Sequence, residues 1–191
     1  MSNAIEGLKP ELLWKYFAAI SKIPRGSKNE AAITKYVLGV GRQLGLEARA
    51  DKFGNVVVCK PASPGRERVH TVVLQGHLDM VCEKNKDTVH DFLKDPIVLV
   101  RQGDMLMADG TTLGADNGVA VATSLAIMED KSLEHGFIGH SQTVRSAFTP
   151  GHLPYPHGQD IPGRASAGFL VRISELQYIG GPHLQGSHID R

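Results

Sequence analysis

The sequence predicts an α/β protein whose helices and strands alternate along residues 1–136. Three observations support this fold class. Apolar residues recur at helical spacing in three segments, short runs rich in β-branched residues lie between these segments, and Gly, Pro, Asn and Asp mark the boundaries. Because the two kinds of element alternate, we expect a layered arrangement in which helices cover a sheet.

The first two helices are predicted near the start of the chain. Residues 10–23 predict a helix, because Pro10 suits a first helical turn and apolar side chains follow it at helical spacing. Residues 29–44 predict a second helix. We expect Asn29 to be its N-cap and Gly45 to be its C-cap.

Strands are predicted wherever a short segment is rich in β-branched and apolar residues, which occurs at residues 47–52, 55–60, 70–75, 95–102 and 105–108. Phe53–Gly54 predicts the turn between the first two of these strands, and Gly103–Asp104 predicts the turn of a later hairpin. The run at 70–75 is nearly continuously apolar, which predicts a strand buried on both faces. Residues 117–129 predict a third helix.

The composition changes after Gly136. Residues 137–191 contain no Lys, 4 Arg and 3 acidic residues, yet they hold 8 of the 21 Gly, 5 of the 10 Pro and 5 of the 9 His. Within them, only residues 168–174 predict a strand. We therefore predict a boundary at 136, and residues 137–191 are either a loop-rich extension or the product of a disrupted reading frame. Composition leaves both interpretations open.

Overall composition excludes several classes of protein. The formal net charge is +1, which argues against nucleic-acid binding through a large excess of positive charge. The sequence has no apolar stretch of about 18 residues, and its first residues lack the pattern of a signal peptide. Its two cysteines, Cys59 and Cys82, are too few for a disulfide framework. We therefore expect a soluble cytoplasmic protein with two free thiols and no membrane contact.

The first motif with chemical potential is Gln75-Gly-His77-Leu-Asp79, directly after the apolar strand. Ligands of open α/β sheets collect at the carboxyl ends of strands. A neutral imidazole placed there can bind a metal, and an acid two residues later can accept a hydrogen bond from the other ring nitrogen. The motif is short, so the alternative of a surface histidine beside a turn carboxylate stays open.

The second motif is Gly110-Thr-Thr-Leu-Gly-Ala-Asp116-Asn-Gly118, a glycine-rich loop that places an acid just before the third helix. Asp116 has a purely structural interpretation as a helix-capping residue. The alternative is a carboxylate that bridges two metal ions, which lie about 3.5–4 Å apart in two-metal hydrolases.

Together with Lys84-Asn-Lys-Asp-Thr-Val-His-Asp-Phe-Leu-Lys-Asp-Pro-Ile97, these motifs resemble the aminoacyl-histidine dipeptidase family. This family is also called peptidase D or cytosol non-specific dipeptidase, and it belongs to the two-zinc metallopeptidases. The resemblance covers about residues 8–136. It implies that residues 1–136 form the amino-terminal part of a three-layer αβα catalytic domain.

The resemblance also implies a site and a reaction. His77 is expected to bind one zinc, Asp116 to bridge two zincs through a carboxylate followed by a cis peptide bond, and Asp79 to be the catalytic-site acid that orients His77. Cobalt or manganese could substitute for zinc. The implied reaction is the hydrolysis of dipeptides, including those that end in histidine, and members of the family are expected to be homodimers.

The chain departs from the family pattern after Gly136. The family has a Glu-Glu pair there, as general base and zinc ligand, but this sequence contains no two consecutive glutamates. Two zincs sharing one bridge need about five protein ligands, and the resemblance supplies two. The chain is therefore an amino-terminal portion of such an enzyme or a non-catalytic remnant that binds metal weakly or binds a partner.

A third hypothesis is a complete small enzyme that recruits ligands from the tail. The candidates by residue type are His140, His152, His157, Asp160, Glu175, His183, His188 and Asp190. We expect His70 and His90 to be structural, and Asp109 to be a turn residue.

Overall fold

The computed structural model describes residues 4–143, and within them three helices and six strands form a mixed α/β structure. In chain order the elements are α1 (Glu11–Ser21), α2 (Ala31–Gln43), β1 (Glu47–Ala50), β2 (Val56–Lys60), β3 (Val72–His77), β4 (Leu99–Gln102), β5 (Met105–Ala108), α3 (Ala115–Glu129) and β6 (Ile138–Thr143). The strand predicted at 168–174 and every tail ligand candidate except His140 lie outside the described residues.

The helices confirm the periodicity, with corrections at their ends. Pro10 is the N-cap of α1, at an extended ψ of 139°, and is not a residue of its first turn. The N-cap of α2 is Glu30, so the prediction of Asn29 is wrong. Asn29 instead belongs to the preceding turn, where its N–H donates to the carbonyl of Gly26 at 2.8 Å. The C-cap of α2 is Leu44, so the prediction of Gly45 is wrong by one position. Gly45 follows it at a φ of 72°, in the left-handed region that glycine adopts without a steric cost.

The main sheet has the strand order β1-β2-β6-β3. Strands β1 and β6 each pair antiparallel with β2, whereas β3 and β6 are parallel. In that parallel pair, Gly76 lies opposite Gln142 and His77 lies opposite Thr143. Strands β4 and β5 form a separate hairpin, as predicted.

Strand β6 corrects the sequence analysis, which predicted a strand after residue 136 only at 168–174. It lies between β2 and β3, where long-range pairing on both sides satisfies its backbone. Its sequence gives no clear apolar alternation, because His140, Ser141 and Gln142 are all buried polar residues. Pairing context therefore outweighs local propensity in this segment.

Strand β3 corrects a second prediction, because it is not buried on both faces. Its backbone pairs with β6 along one edge, and no strand of residues 4–143 pairs with its other edge. Val72 is 45% exposed and Gln75 is exposed. An apolar run alone does not distinguish a central strand from one at the end of a sheet.

The helices pack over one face of the sheet. Gly41 of α2 approaches Val58, and Lys60 of the same strand donates from Nζ to the carbonyls of Ile127 and Asp130 at the end of α3. Because Val58 and Lys60 are two residues apart, they point to the same face. Helix α1 is linked to α3 by the salt bridge between Lys15 and Glu129 at 2.7 Å. All three helices therefore contribute to one apolar core with β2 and β6.

No helix in the part of the chain from residue 4 to residue 143 combines the length and apolarity needed to cross a bilayer.

Candidate metal-binding site

His77 ends β3, and Asp79 follows in the adjacent loop. Between and after them, Leu78 and Met80 are buried at 0% and 4% exposure and anchor this loop in the core. Since alternate residues of an extended segment point to opposite sides, this anchoring directs His77 and Asp79 outward together.

The imidazole of His77 contacts Asp79 through one ring nitrogen. Its Nδ1 lies 3.0 Å from Oδ1 of Asp79 and 3.1 Å from the Asp79 carbonyl oxygen. The other carboxylate oxygen, Oδ2, accepts a hydrogen bond from Oγ of Ser27 at 2.5 Å. With its proton on Nδ1, His77 presents the lone pair of Nε2, which is how metal-binding histidines are commonly held.

Asp116 reaches the same place from a different loop. Its Oδ1 lies 3.3 Å from Nε2 of His77, and its side chain is 75% exposed. The backbone of Asp116 is non-helical, with a φ of −93° and a ψ of 104°, so α3 is kinked at this residue. Oδ1 of Asp116 also accepts a hydrogen bond from Nδ2 of Asn117. The peptide bond between Asp116 and Asn117 is cis, which matches the expectation from the family resemblance.

Arg25 is a functional candidate that the sequence analysis missed. Its guanidinium donates from Nη1 to the carbonyls of Leu78 and Asp79 at 3.1 and 3.4 Å, and from Nη2 to the carbonyl of Gly114 at 2.6 Å. Burial lowers the pKa of Arg25 to about 10, although the charge of Asp79 acts in the opposite direction. The Pro-Arg-Gly-Ser segment indicates a turn and carries no local sign that its arginine is buried.

Polar groups also lie behind the site. A Cβ added at Gly76 would sit 2.7 Å from Oδ1 of Asn117 and 3.0 Å from Oε1 of Gln142, so a side chain there would have to displace these amide groups. Nearby in β6, His140 is fully buried, and burial lowers its pKa to about 3. Its Nε2 has no hydrogen-bond partner within residues 4–143, and its Nδ1 lies 3.4 Å from Nε2 of Gln142.

The donors brought together are one imidazole and one carboxylate. Among the residues described, no group of three or more His, Cys, Asp or Glu side chains is arranged to hold a metal ion. Asp79 contacts Nδ1 of His77, the ring nitrogen opposite the one that faces Asp116, and so does not add a third donor beside Nε2. The pair therefore fits part of a zinc coordination shell, and a catalytic zinc would need a further protein ligand.

The other residues that the sequence singled out are His70, His90 and Asp109. His90 makes an edge-to-face contact with Phe92 at 4.5 Å, and its carbonyl accepts from Lys84. Asp109 lies in a bend just after β5. His70 is exposed at the amino end of β3, opposite to His77.

Comparison with known proteins identifies similar chains, although no protein-family model matches. The cytosol non-specific dipeptidase of Escherichia coli (strain K12) is 46% identical over 134 residues, which are 70% of this chain and 28% of that protein. The aminoacylhistidine dipeptidase from Vibrio alginolyticus is 44% identical with a TM-score of 0.72, covering 75% of this chain and 29% of that one. The aminopeptidase PepT from Bacillus cereus is 24% identical with a TM-score of 0.57, covering 70% and 36% of the two chains, and it shows a shared fold alone.

The matched part of this chain thus spans less than a third of the length of the Escherichia coli and Vibrio alginolyticus dipeptidases.

Proposed function

We infer from its partial homology to cytosol non-specific dipeptidase that this chain carries one part of a dipeptidase metal site. The proposed reaction is zinc-dependent hydrolysis of dipeptides, including those that end in histidine. One observation carries the proposal. Nε2 of His77 and Oδ1 of Asp116 lie 3.3 Å apart although His77 ends β3 and Asp116 lies at the start of α3.

Each residue of the site has a distinct proposed role. In the proposed site His77 and Asp116 would hold zinc, Asp116 would bridge two ions, and Asp79 would keep the ring of His77 in the tautomer that frees Nε2. When bound, zinc polarises a scissile carbonyl and lowers the pKa of a water ligand. Cobalt and manganese accept the same nitrogen and oxygen ligands and are the substitutes to test.

A specific observation favours a second candidate, a non-catalytic protein that binds metal weakly or binds a partner. The sequence contains no two consecutive glutamates, and the described residues bring together only two zinc donors. Loss of a general base typically lowers a rate by about 10²–10⁴-fold, so the second candidate predicts metal binding without turnover.

Metal binding and turnover on the same samples separate these candidates. The full chain is stripped with a chelator, loaded with zinc, dialysed and analysed for bound metal, and alanyl-histidine hydrolysis is then measured. We expect bound zinc in the wild type and in the control His70→Ala, and a loss of at least tenfold in affinity in His77→Ala.

Each result has a defined meaning. Zinc-dependent hydrolysis that disappears in His77→Ala supports the dipeptidase, whereas bound zinc without hydrolysis supports the non-catalytic candidate. Equal zinc content in wild type and His77→Ala would refute the proposed role of His77.

We base the proposed location and partners of this chain on the same homology. The name of the Escherichia coli relative places that protein in the cytosol, and we propose a cytoplasmic location for this chain. A dipeptide is the proposed binding partner. The homodimer expected of the family is testable by light scattering on the purified chain.

A further inference from the structure

We propose that Arg25 is a positioning residue that sets the separation of the two candidate metal ligands. The inference concerns the loops that carry His77 and Asp116, and its metal-binding consequence rests on the function proposed above.

The contacts of Arg25 join two loops that are far apart in sequence. Its Nη1 binds the carbonyl of Leu78, the residue directly after His77. Its Nη2 binds the carbonyl of Gly114, two residues before Asp116. One rigid guanidinium thus contacts the backbone beside each ligand, and its planar geometry relates the two positions.

The backbone around Arg25 strengthens the attachment to the first loop. The carbonyl of Arg25 accepts a hydrogen bond from the N–H of Met80 at 3.0 Å, and Gly26 forms an isolated bridge with Met80. The arginine therefore holds the loop after β3 through both its main chain and its side chain.

Two glycines of the second loop leave space for the guanidinium. A Cβ at Gly114 would lie 2.5 Å from Nη2 of Arg25, and a Cβ at Gly118 would lie 2.7 Å from the same atom. These glycines belong to the Gly-rich motif that delivers Asp116, so part of that motif serves to admit the arginine. Gly118 has no positive φ, so Gly118→Ala carries no left-handed backbone penalty. Its Cβ would press most closely on Nη2 of Arg25 and less closely on Cε2 of Phe17, at 3.2 Å.

Burial gives these contacts their importance. Arg25 is 2% exposed, and a buried cation needs its hydrogen bonds because water cannot replace them. Lysine can supply the positive charge but lacks the planar guanidinium whose separate nitrogens donate to both loops. We therefore expect Arg25→Lys to release at least one of the loops.

Two variants and one control test the proposal. The variants are Arg25→Lys and Gly118→Ala, the second of which keeps the arginine but displaces it. The control is Lys60→Met, because Lys60 is also a partly buried cation that binds two backbone carbonyls, at the opposite end of α3. If Arg25→Lys fails to fold, Gly118→Ala provides the same comparisons.

The first measurement is hydrogen exchange by mass spectrometry on the metal-free chain. We expect exchange at residues 78–82 and 112–118 to increase at least tenfold in both variants, while α2 is unchanged. In Lys60→Met these two segments should keep wild-type exchange. A uniform increase along the chain, or no increase in the two segments, would overturn the proposal.

The second measurement is Co²⁺ binding followed by visible absorption. We expect both variants to bind Co²⁺ at least tenfold more weakly than wild type, and Lys60→Met to stay within twofold. Unchanged Co²⁺ affinity in both variants would overturn the positioning role. A wild type that binds no Co²⁺ contradicts the proposed function instead, and the exchange result then decides whether Arg25 holds the two loops.

Discussion

Acidification below pH 6.5 should destabilise this protein through one residue, His140 in β6. This histidine is 0% exposed, and burial lowers its pKa from 6.5 to about 3 in the folded state. The unfolded chain therefore binds a proton between these two values that the folded chain does not bind. The contribution of His140 to stability is complete above pH 6.5 and is lost as the pH falls from 6.5 toward 3.

The size of the effect follows from that window. Each pH unit within it costs about 1.4 kcal/mol at most, since one pKa unit corresponds to that free energy. Over the full window the loss is about 5 kcal/mol, the lower end of the total stability of an ordinary domain. Within the described residues Nε2 has no hydrogen-bond partner, and the amide nitrogen of Gln142 beside Nδ1 can donate but not accept, so neither contact offsets the cost of charging the ring.

Urea unfolding at pH 7, 6, 5 and 4 measures the effect in wild type, His140→Leu and the exposed control His70→Gln. Carboxylates also titrate at low pH, but they do so in all three proteins, so the difference between wild type and His140→Leu isolates His140. We expect this difference to grow by about 1 kcal/mol per pH unit below 6. Parallel pH profiles for wild type and His140→Leu would refute the assignment of a buried neutral imidazole.

Two further substitutions test close approaches and turns. Gly76→Ala should cost about 1–3 kcal/mol of unfolding free energy, because its Cβ would overlap Asn117 at 2.7 Å, and it should also weaken zinc binding; an unchanged urea midpoint would contradict this packing. Gly45→Ala should cost about 1 kcal/mol at a φ of 72° and leave zinc content unaltered, so a variant as stable as wild type would show that the left-handed turn is not populated.

Local patterns were sufficient for most helices and hairpins. Helices α1 and α2 follow from apolar spacing, and Gly103 ends β4 in a turn with a φ of 59°. Each of these features depends on residues only a few positions apart, so the information is contained in a short window of sequence. The motifs around His77 and Asp116 were likewise visible as short patterns.

Strand β6 and the burial of Arg25 were not predicted, and for the same reason. Strand β6 is a strand because β2 and β3 pair with it on both sides, although its own residues are largely polar. Arg25 is buried because two distant loops place carbonyls around it. The strands that pair with β6 and the carbonyls that surround Arg25 come from segments distant in sequence, so the adjacent residues do not reveal them.

For the candidate site, too, part of the information lies in short sequence segments and part lies in the tertiary structure. Residue types and glycine spacing identify an imidazole and a carboxylate suited to zinc, since those properties belong to the side chains themselves. That His77 and Asp116, 39 residues apart, come within 3.3 Å depends on β3, α3 and the guanidinium between their loops. Proximity of distant donors is a product of packing, which no single segment of the chain encodes.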